Sequence, residues 1–390
     1  MRVLHISKYY PPFAGGIEHF VADLHVSLGR NGIQSYVLAH QHKDSSHLTD
    51  KISENIYIAP VKRTFLYTPI SPLFPKILKK CIQQIQPDVI HIHMPNLSAF
   101  WMLFFKITRK IPWIIHWHSD VVASKIDKRL SLVYPLYKPF EYQLLRHSQT
   151  IIATSQQYLL TSQTLSSFQH KCQVLPLGVS RFRLNQKNTE SCQLWDNNKR
   201  KILAIGRLTY YKGFDVLIKA AQYLPDCQII IVGEGEMRGC LEQMISQFNV
   251  EDNVNLIGFI MKSQIEQLLS TCDCLCLPSL ERTEAFGLVL LEAMLFSKPV
   301  VASHLPGPSW IVEPQKTGLL VTPGDVYELV CALKWILRSP EIKYQMGQAA
   351  YHRFINLFEI EQISKQMLTI YRNIYKRKKN ENIDHYPYKK

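Results

Sequence analysis

The sequence predicts an α/β protein made of two doubly wound domains, and three observations carry that prediction. Strand and helix patterns alternate along residues 1–180, as in a mostly parallel sheet with helices on both faces. The alternation restarts at Lys201, after a stretch (185–200) rich in Asn, Gln, Lys and Ser. Apolar strands in both halves run into loops bearing glycine or charge, and two such domains place a ligand cleft at the carboxyl ends of their strands.

In the first domain (1–180), strands are expected at Arg2–Ser7, Ser35–Ala39, Val89–His93, Trp113–His116 and Thr150–Ala153. Helices fall between them, including Glu18–Gly29 and Pro75–Ile85. Residues 181–200 read as a linker. In the second domain (201–358), Lys201–Gly206 is a strand, Asp215–Tyr223 a helix, and Gln228–Val232 a strand ending in Gly233-Glu234-Gly235. Val254–Ile257 is a further strand, Gln264–Ser270 a helix, and Cys274-Leu275-Cys276-Leu277-Pro278 the end of a buried strand. A last helix is expected over 359–377, followed by a basic, disordered tail, 378–390.

Composition limits the class. With 390 residues and 46% hydrophobic content there is ample material for two cores. No run approaches the roughly 18–20 apolar residues of a membrane span. The chain opens directly on a strand pattern, without a signal peptide, so a cytoplasmic protein is expected. Nine cysteines lack zinc spacing; Cys272, Cys274 and Cys276 alternate through one apolar strand and read as reduced, buried thiols. The net charge of +14 is uneven. Residues 1–178 carry +10, and the tail 376–390 carries +4. That asymmetry points to an anionic partner met by one domain, nucleic acid or an anionic membrane.

The richest stretch is 279–292, where Glu284 and Glu292 flank Ala-Phe-Gly-Leu-Val-Leu-Leu. The spacing puts Glu284 on a strand-to-helix loop and Glu292 about two turns into the helix. A helix N-terminus favours phosphate, and a carboxylate at either end accepts from hydroxyls. One ligand with both groups is a nucleotide sugar. Arg207 and Lys212 follow the first strand of the second half, where two cations can clamp a diphosphate. Gly15-Gly16 precedes a helix and permits close backbone approach. His91, His93, His116 and His118 stand at two strand ends, and a sugar-binding histidine is favoured over a metal site. Each feature alone has a plainer reading: a solvated helix face for Glu292, solvated loop cations for Arg207 and Lys212, an ordinary turn at Gly15-Gly16.

Taken in order, the features resemble the large retaining glycosyltransferase family 4 (group 1), with the GT-B fold. The match rests on Tyr9-Tyr10-Pro11-Pro12-x2-Gly15-Gly16-Ile17-Glu18, Asp88-Val89-Ile90-His91-Ile92-His93, Gly206-Arg207-Leu208-x3-Lys212-Gly213, Gly233-Glu234-Gly235, Pro278-Ser279, Glu284-x7-Glu292 and Thr317-Gly318-Leu319-Leu320-Val321. It runs from residue 1 to about 375. The resemblance implies two Rossmann-like domains facing across a cleft, with a C-terminal helix crossing back to the first. It implies that Arg207 and Lys212 hold the donor diphosphate beside Gly206, that Glu292 accepts from the ribose and Glu284 from the donor sugar. Backbone N–H groups around Phe286, Gly287 and Leu288 would face the sugar or phosphates, Gly16 would lie against the phosphates, and His118 would be the active-site histidine. No cofactor or metal is implied.

Within the family, Trp117-His118-Ser119-Asp120-Val121-Val122 and Ala153-Thr154-Ser155 resemble mannosyl- and rhamnosyltransferases of surface polysaccharide assembly. One departure is Leu305-Pro306-Gly307-Pro308-Ser309-Trp310, where that subgroup carries Gly-Thr-Gly-Thr-Ser-Trp; two prolines stiffen the loop and remove donors. The implied reaction moves a hexose, mannose from GDP-mannose, to a hydroxyl of a growing, lipid-linked glycan with retention. The rivals are a 2-epimerase of the same fold and a non-catalytic protein docking on nucleic acid; against the latter, the sequence shows no nucleic-acid recognition motif. Lys76, Lys79 and Lys80 beside Leu73, Phe74, Ile77 and Leu78 resemble an amphipathic helix docking on the anionic inner membrane face.

Overall fold

A computed structural model describes residues 1–11, 15–41, 51–53, 55–65, 68–121, 128–182 and 194–384. Pro12, Val122, the central linker residues 183–193 and the last six tail residues lie outside these ranges. Two compact units emerge. The first comprises Met1–Gly178 with Ile360–Lys390, the second Val179–Glu359.

The first unit is built on an eight-stranded sheet. Its order is Cys172–Val174, Thr150–Ala153, Trp113–Trp117, Val89–Met94, Arg2–Ile6, Gln34–His40, Ile56–Ala59 and Lys51–Ser53. All pairings are parallel except the last, which is antiparallel. A parallel sheet is covered on both faces, and the strands Val89–Met94 and Trp113–Trp117 are buried along their whole length. The helix Gly16–Arg30 buries Phe20, Val21, Leu24 and Leu28, an apolar stripe at helical spacing. Ile360–Asp384 is the returning C-terminal helix. It packs on Gly16–Arg30 and buries Ile363, Met367, Tyr371 and Ile374, and Asn31 Nδ2 donates to Glu361 Oε2 at 3.2 Å.

Two expectations for this unit change. The helix continues through Asp384, so most of the segment taken for a disordered tail is helical. The helix Phe74–Ile85 is amphipathic with Lys76, Lys79 and Lys80 exposed, but Phe74, Leu78, Cys81, Ile82 and Ile85 are buried in the unit's core. Its apolar side is therefore already covered by protein and is not available to insert into lipid; only Leu73, before the helix, is half exposed.

The second unit holds a six-stranded, wholly parallel sheet in the order Val254–Ile257, Cys227–Val232, Arg200–Ile205, Cys274–Leu277, Val300–Ser303, Gly318–Val321. Written by position in the chain this is 3-2-1-4-5-6, the doubly wound order whose switch point falls between the first and fourth strands. The core runs from Ile202, Ile229 and Ile231 through Leu217, Ala221, Leu333 and Ile336. Cys272, Cys274 and Cys276 are buried free thiols, as their alternation suggested.

Candidate active site

The switch point of the second unit gathers most of the residues singled out from the sequence. After Arg200–Ile205 the chain passes Gly206 and Arg207, makes one 3-10 turn at Tyr210–Lys212, and enters the helix Phe214–Ala221 through Gly213. Gly213 is in the left-handed region (φ 68), and a Cβ there would sit 2.0 Å from the Pro278 carbonyl oxygen. Glycine is required, and it lets this loop lie against the loop after Cys274–Leu277. The Leu280 N–H donates to Tyr211 O at 2.7 Å, and Tyr210 Oη donates to Glu281 Oε2 at 3.2 Å.

That union brings Lys212 to Glu284. The Nζ–Oε2 distance is 2.5 Å, and Ser279 Oγ donates to the same carboxylate oxygen at 3.1 Å. Both side chains are nearly buried, 13% and 10% exposed. Burial opposes the Lys212 charge, yet the Glu284 carboxylate more than offsets it, so the ammonium pKa ends above its ordinary value. Gly206 leaves room for the lysine, since a Cβ on it would stand 3.2 Å from Lys212 Cε. Arg207 is exposed just outside the pair. The resemblance assigns Lys212 to the diphosphate and Glu284 to the sugar; in the structure the two pair with each other, and Ser279 completes the trio.

Downstream, Gly287 (φ 96) opens the helix Leu288–Leu295, with Ala285 and Phe286 buried before it. Glu292 is half-buried and four residues beyond Leu288, one turn into the helix rather than two, because the helix begins only after Gly287. The proline-bearing loop closes on this segment: a Cβ on Gly307 would meet the Ala285 carbonyl oxygen at 2.3 Å and Phe286 Cα at 2.6 Å. Arg353 fixes the loop's far end, donating to Trp310 O and Ile311 O at 2.8 and 2.7 Å and pairing with Glu313 at 2.9 Å. Gly233 (φ 150) lies so close to Gly206 that a Cβ would stand 1.9 Å from its oxygen. The second-unit residues thus form a set of carboxylates, cations and a helix start at the carboxyl ends of the central strands, suited to a ligand with phosphate and hydroxyl groups.

Gly16 and His118 belong to the first unit. Gly16 is exposed as the first residue of its helix, after an extended Gly15. His118 is only 3% exposed, its N–H donates to Met94 O at 3.0 Å, and burial lowers its pKa to about 3, so it is a neutral imidazole. It does not stand alone. His5, His91, His93 and His116 surround it, and His5 was not among the candidate residues. A signal for His5 existed, since it sits on the first strand at the same alternation as His91, but the pairing of those strands was needed to read it.

Comparisons with known proteins agree with this geometry. The model for "Glycosyltransferase Family 4" matches residues 14–181, and that for "Glycosyl transferases group 1" matches residues 185–353. An O-antigen chain mannosyltransferase of Escherichia coli is 28% identical over 384 residues, 96% of this chain and 98% of that protein. A D-rhamnosyltransferase of Pseudomonas aeruginosa is 27% identical over 362 residues, 92% of each. Among solved structures, sucrose-phosphate synthase from Thermosynechococcus elongatus superposes with a TM-score of 0.82 at 24% identity, covering 96% of this chain and 99% of that one. An Anabaena protein solved with UDP-glucose gives 0.75 at 21%, covering 96% and 100%. The two sheets, the switch-point site and these matches together make the chain a member of the group 1, family 4 glycosyltransferases, sugar-transferring enzymes of the GT-B fold.

Proposed function

We propose that this glycosyltransferase moves mannose from GDP-mannose to a hydroxyl of a growing, lipid-linked surface glycan, with retention at the anomeric carbon. The Lys212–Glu284 pair at the switch point is the observation that carries the reading. A nucleotide diphosphate sugar offers each member a new partner: the diphosphate takes Lys212 and the exposed Arg207, and a sugar hydroxyl donates to Glu284. Glu292 receives the ribose hydroxyls. The start of the helix at Gly287 and Leu288 adds its positive end where the leaving diphosphate gains charge. The acceptor oxygen attacks from the face the diphosphate leaves, assisted by it, since no carboxylate is assigned as nucleophile. His118 and Gly16 of the first unit would bound the sugar and phosphates. The mannosyl- and rhamnosyltransferases named above support the sugar class, and neither favours an epimerase.

Nucleoside diphosphate release tests this. The purified protein is offered GDP-mannose, other GDP-sugars and UDP-sugars, with lipid-linked glycan acceptors. Acceptor-dependent release of GDP from GDP-mannose is expected. Release only from a different donor would replace the mannose assignment, and acceptor-independent change of the donor sugar would restore the epimerase.

Peripheral docking on the inner membrane face is the second part of the proposal. Among the described residues no helix is long and apolar enough to cross a membrane. The apolar surface suited to docking is on other elements than the helix bearing Lys76. Leu132, Leu136 and Phe140 are exposed at four-residue spacing, and Phe104 packs on Phe140 at 6.2 Å with Trp101 beside it at 5.8 Å. Lys106, Arg109 and Lys138, close to these residues in sequence, are exposed cations. An aromatic and aliphatic patch with exposed cations near it in sequence suits an anionic bilayer.

A further inference from the structure

The helix Pro340–Leu357 packs on the helix that opens at Gly287, and it holds that segment at both ends. At the far end Gly347 lies against the chain that follows Leu295. A Cβ there would stand 2.0 Å from the Ser297 carbonyl oxygen, so glycine is what lets the two segments touch. At the near end the holding is done by Arg353 and Phe358. Arg353 Nε donates to Ile311 O at 2.7 Å, Nη2 to Trp310 O at 2.8 Å and Nη1 to Glu313 Oε1 at 2.9 Å. Its side chain is 17% exposed, and its guanidinium carbon stands 5.7 Å from the centre of the buried Phe358 ring.

Two paths lead from Arg353 to the backbone just before that helix. The first is aromatic. Phe358 meets Phe286 edge to face, with ring centres 6.3 Å apart and planes at 73°. The second runs through the proline-bearing loop, which is braced within itself. Ser309 N–H donates to Leu305 O at 2.9 Å, Trp310 N–H to Gly307 O at 3.0 Å and Val312 N–H to Pro308 O at 2.9 Å. Pro308 starts the short helix Pro308–Ile311 with its φ already set. Arg353 grips the end of this braced piece at Trp310, Ile311 and Glu313. Its other end is Gly307, where a Cβ would strike the Ala285 carbonyl oxygen at 2.3 Å and Phe286 Cα at 2.6 Å. With backbone against backbone and no side chain between, a shift of the loop passes to Ala285 and Phe286.

We propose that Arg353 is a positioning residue for the donor sugar: through Phe358 and the 305–311 loop it sets the place of the segment Glu284–Leu288. This rests on the reading above, in which Glu284 and the backbone N–H groups at Phe286, Gly287 and Leu288 face the sugar and the leaving diphosphate. Arg353 acts through that segment and not by contact with the donor. Its planar fork suits the task, because three nitrogens reach two successive carbonyls and a carboxylate at once. A lysine keeps the charge but brings a single nitrogen. The groups assigned to the nucleotide are held by other means. Arg207 and Lys212 lie on the loop after Arg200–Ile205, and Glu292 lies a turn further along the helix, towards the end that Gly347 secures. Loosening Arg353 therefore disturbs the sugar side of the site and spares the nucleotide side.

That split is the test. Calorimetry measures the Kd of the nucleoside diphosphate and of the nucleotide sugar on the full-length wild type, Arg353→Lys and Glu313→Gln, with turnover measured alongside. GDP and GDP-mannose are used first; a different donor found in the release assay replaces them, so a wrong sugar changes the probe and not the test. A wild type that uses no nucleotide sugar would instead defeat the functional reading itself. In Arg353→Lys the nucleotide-sugar Kd should rise about tenfold, the scale of one or two lost hydrogen bonds. Turnover should fall about 10²-fold, as for a misplacement near 1 Å, while the nucleoside diphosphate Kd is little changed. Glu313→Gln keeps both carbonyl bonds of Arg353 and should resemble the wild type. Gly307→Ala leaves Arg353 in place and displaces Ala285 and Phe286 directly, so it should show the same split as Arg353→Lys. A folded Arg353→Lys with a lower Tm but wild-type sugar affinity and turnover would overturn the proposal, since the residue would then be structural only. Equal losses for nucleotide and nucleotide sugar would overturn it as well. If Arg353→Lys does not fold, Gly307→Ala decides alone, and normal sugar affinity there counts against the proposal.

Discussion

Two units of one layered design manage their polar groups in opposite ways. The second compensates its charge. Val179–Glu359 carries 18 Lys+Arg against 19 Asp+Glu, a net −1, and its site is an ion pair, Lys212 with Glu284, supported by Ser279. The first leaves charge uncompensated. Met1–Gly178 with Ile360–Lys390 carries 27 against 12, a net +15, and its interior includes a cluster of neutral histidines. The C-terminal helix belongs to the first unit, so its exposed Lys376 and Arg377 add to that unit's charge. A unit that binds a diphosphate need not be basic. It needs a few cations held where the charge develops, while net charge acts at a distance on whatever surface the protein meets.

The sharpest way to break this contrast is to remove the pair. Lys212→Met keeps the side-chain volume and removes the cation. Turnover should fall about 10²–10³-fold, the scale for a lost electrostatic stabiliser of the transition state. The same change strands Glu284, and breaking such a pair costs about 3–5 kcal/mol when it is well buried. The double variant Lys212→Met/Glu284→Gln should recover most of the thermal stability without recovering turnover. Wild-type turnover in the single variant would show that the pair is merely structural.

Glu292→Ala sharpens the reading of the same unit. Loss of a charged acceptor for the ribose should weaken donor binding by about 1.5–3 kcal/mol. Because the side chain is half-buried on a helix surface, folding should be little changed. Calorimetry with GDP or GDP-mannose reads the effect directly, and an unchanged Kd in a folded variant would remove Glu292 from the site.

The contrast also explains what was legible in the sequence. Strands of the parallel sheets are short apolar runs, so Thr150–Ala153 and Val254–Ile257 were read to the residue. The second unit's site lies on loops that follow strands, and glycines and charges in such loops stand out. That Lys212 meets Glu284 rather than standing free depends on two loops meeting 72 residues apart, which no local pattern encodes. In the first unit, four histidines were visible, but the fifth, His5, and the helical cover from Tyr371, 280 residues from His91, needed the sheet order and the returning helix. The helix Phe74–Ile85 has the pattern of a membrane-surface helix and of a core-covering helix alike; periodicity fixes the stripe, not what lies against it.

Glu141 tests the first unit's habit of burying polar groups in neutral form. It is 1% exposed, with Oε1 unpartnered and Oε2 accepting from Tyr134 at 2.6 Å. Burial, reinforced by Asp120 and opposed by Tyr134 and Lys138, raises its pKa to about 7. The folded pKa exceeds the unfolded one, so the folded state holds the proton longer. This contribution to stability is complete below about pH 4.5 and is lost as pH rises through 7. It amounts to about 3–4 kcal/mol for a shift of this size. Glu141→Gln imitates the protonated acid, so its gain in Tm over the wild type should be larger at pH 8 than at pH 5. Equal differences at the two pH values would show an ionised, solvated carboxylate instead.

The smallest expected effect concerns how the first unit meets a membrane. Co-sedimentation with vesicles should rise with anionic lipid and fall with salt, because +15 on one unit acts through screened attraction. Each Lys or Arg near the bilayer is worth about 1 kcal/mol. Replacing Lys76, Lys79 and Lys80 by Glu should weaken binding, because six units of charge change on one exposed helix side. The apolar patch adds a contribution that salt does not screen. Leu136→Glu, at a side chain 76% exposed, removes apolar contact at no cost to the core and should lower binding even in high salt. If the lysine variant loses all binding and Leu136→Glu loses none, attraction is purely electrostatic and the aromatic patch faces another partner. If the wild type ignores anionic vesicles at low salt, the unit's charge serves something other than lipid, and the transferase assignment stands unaffected.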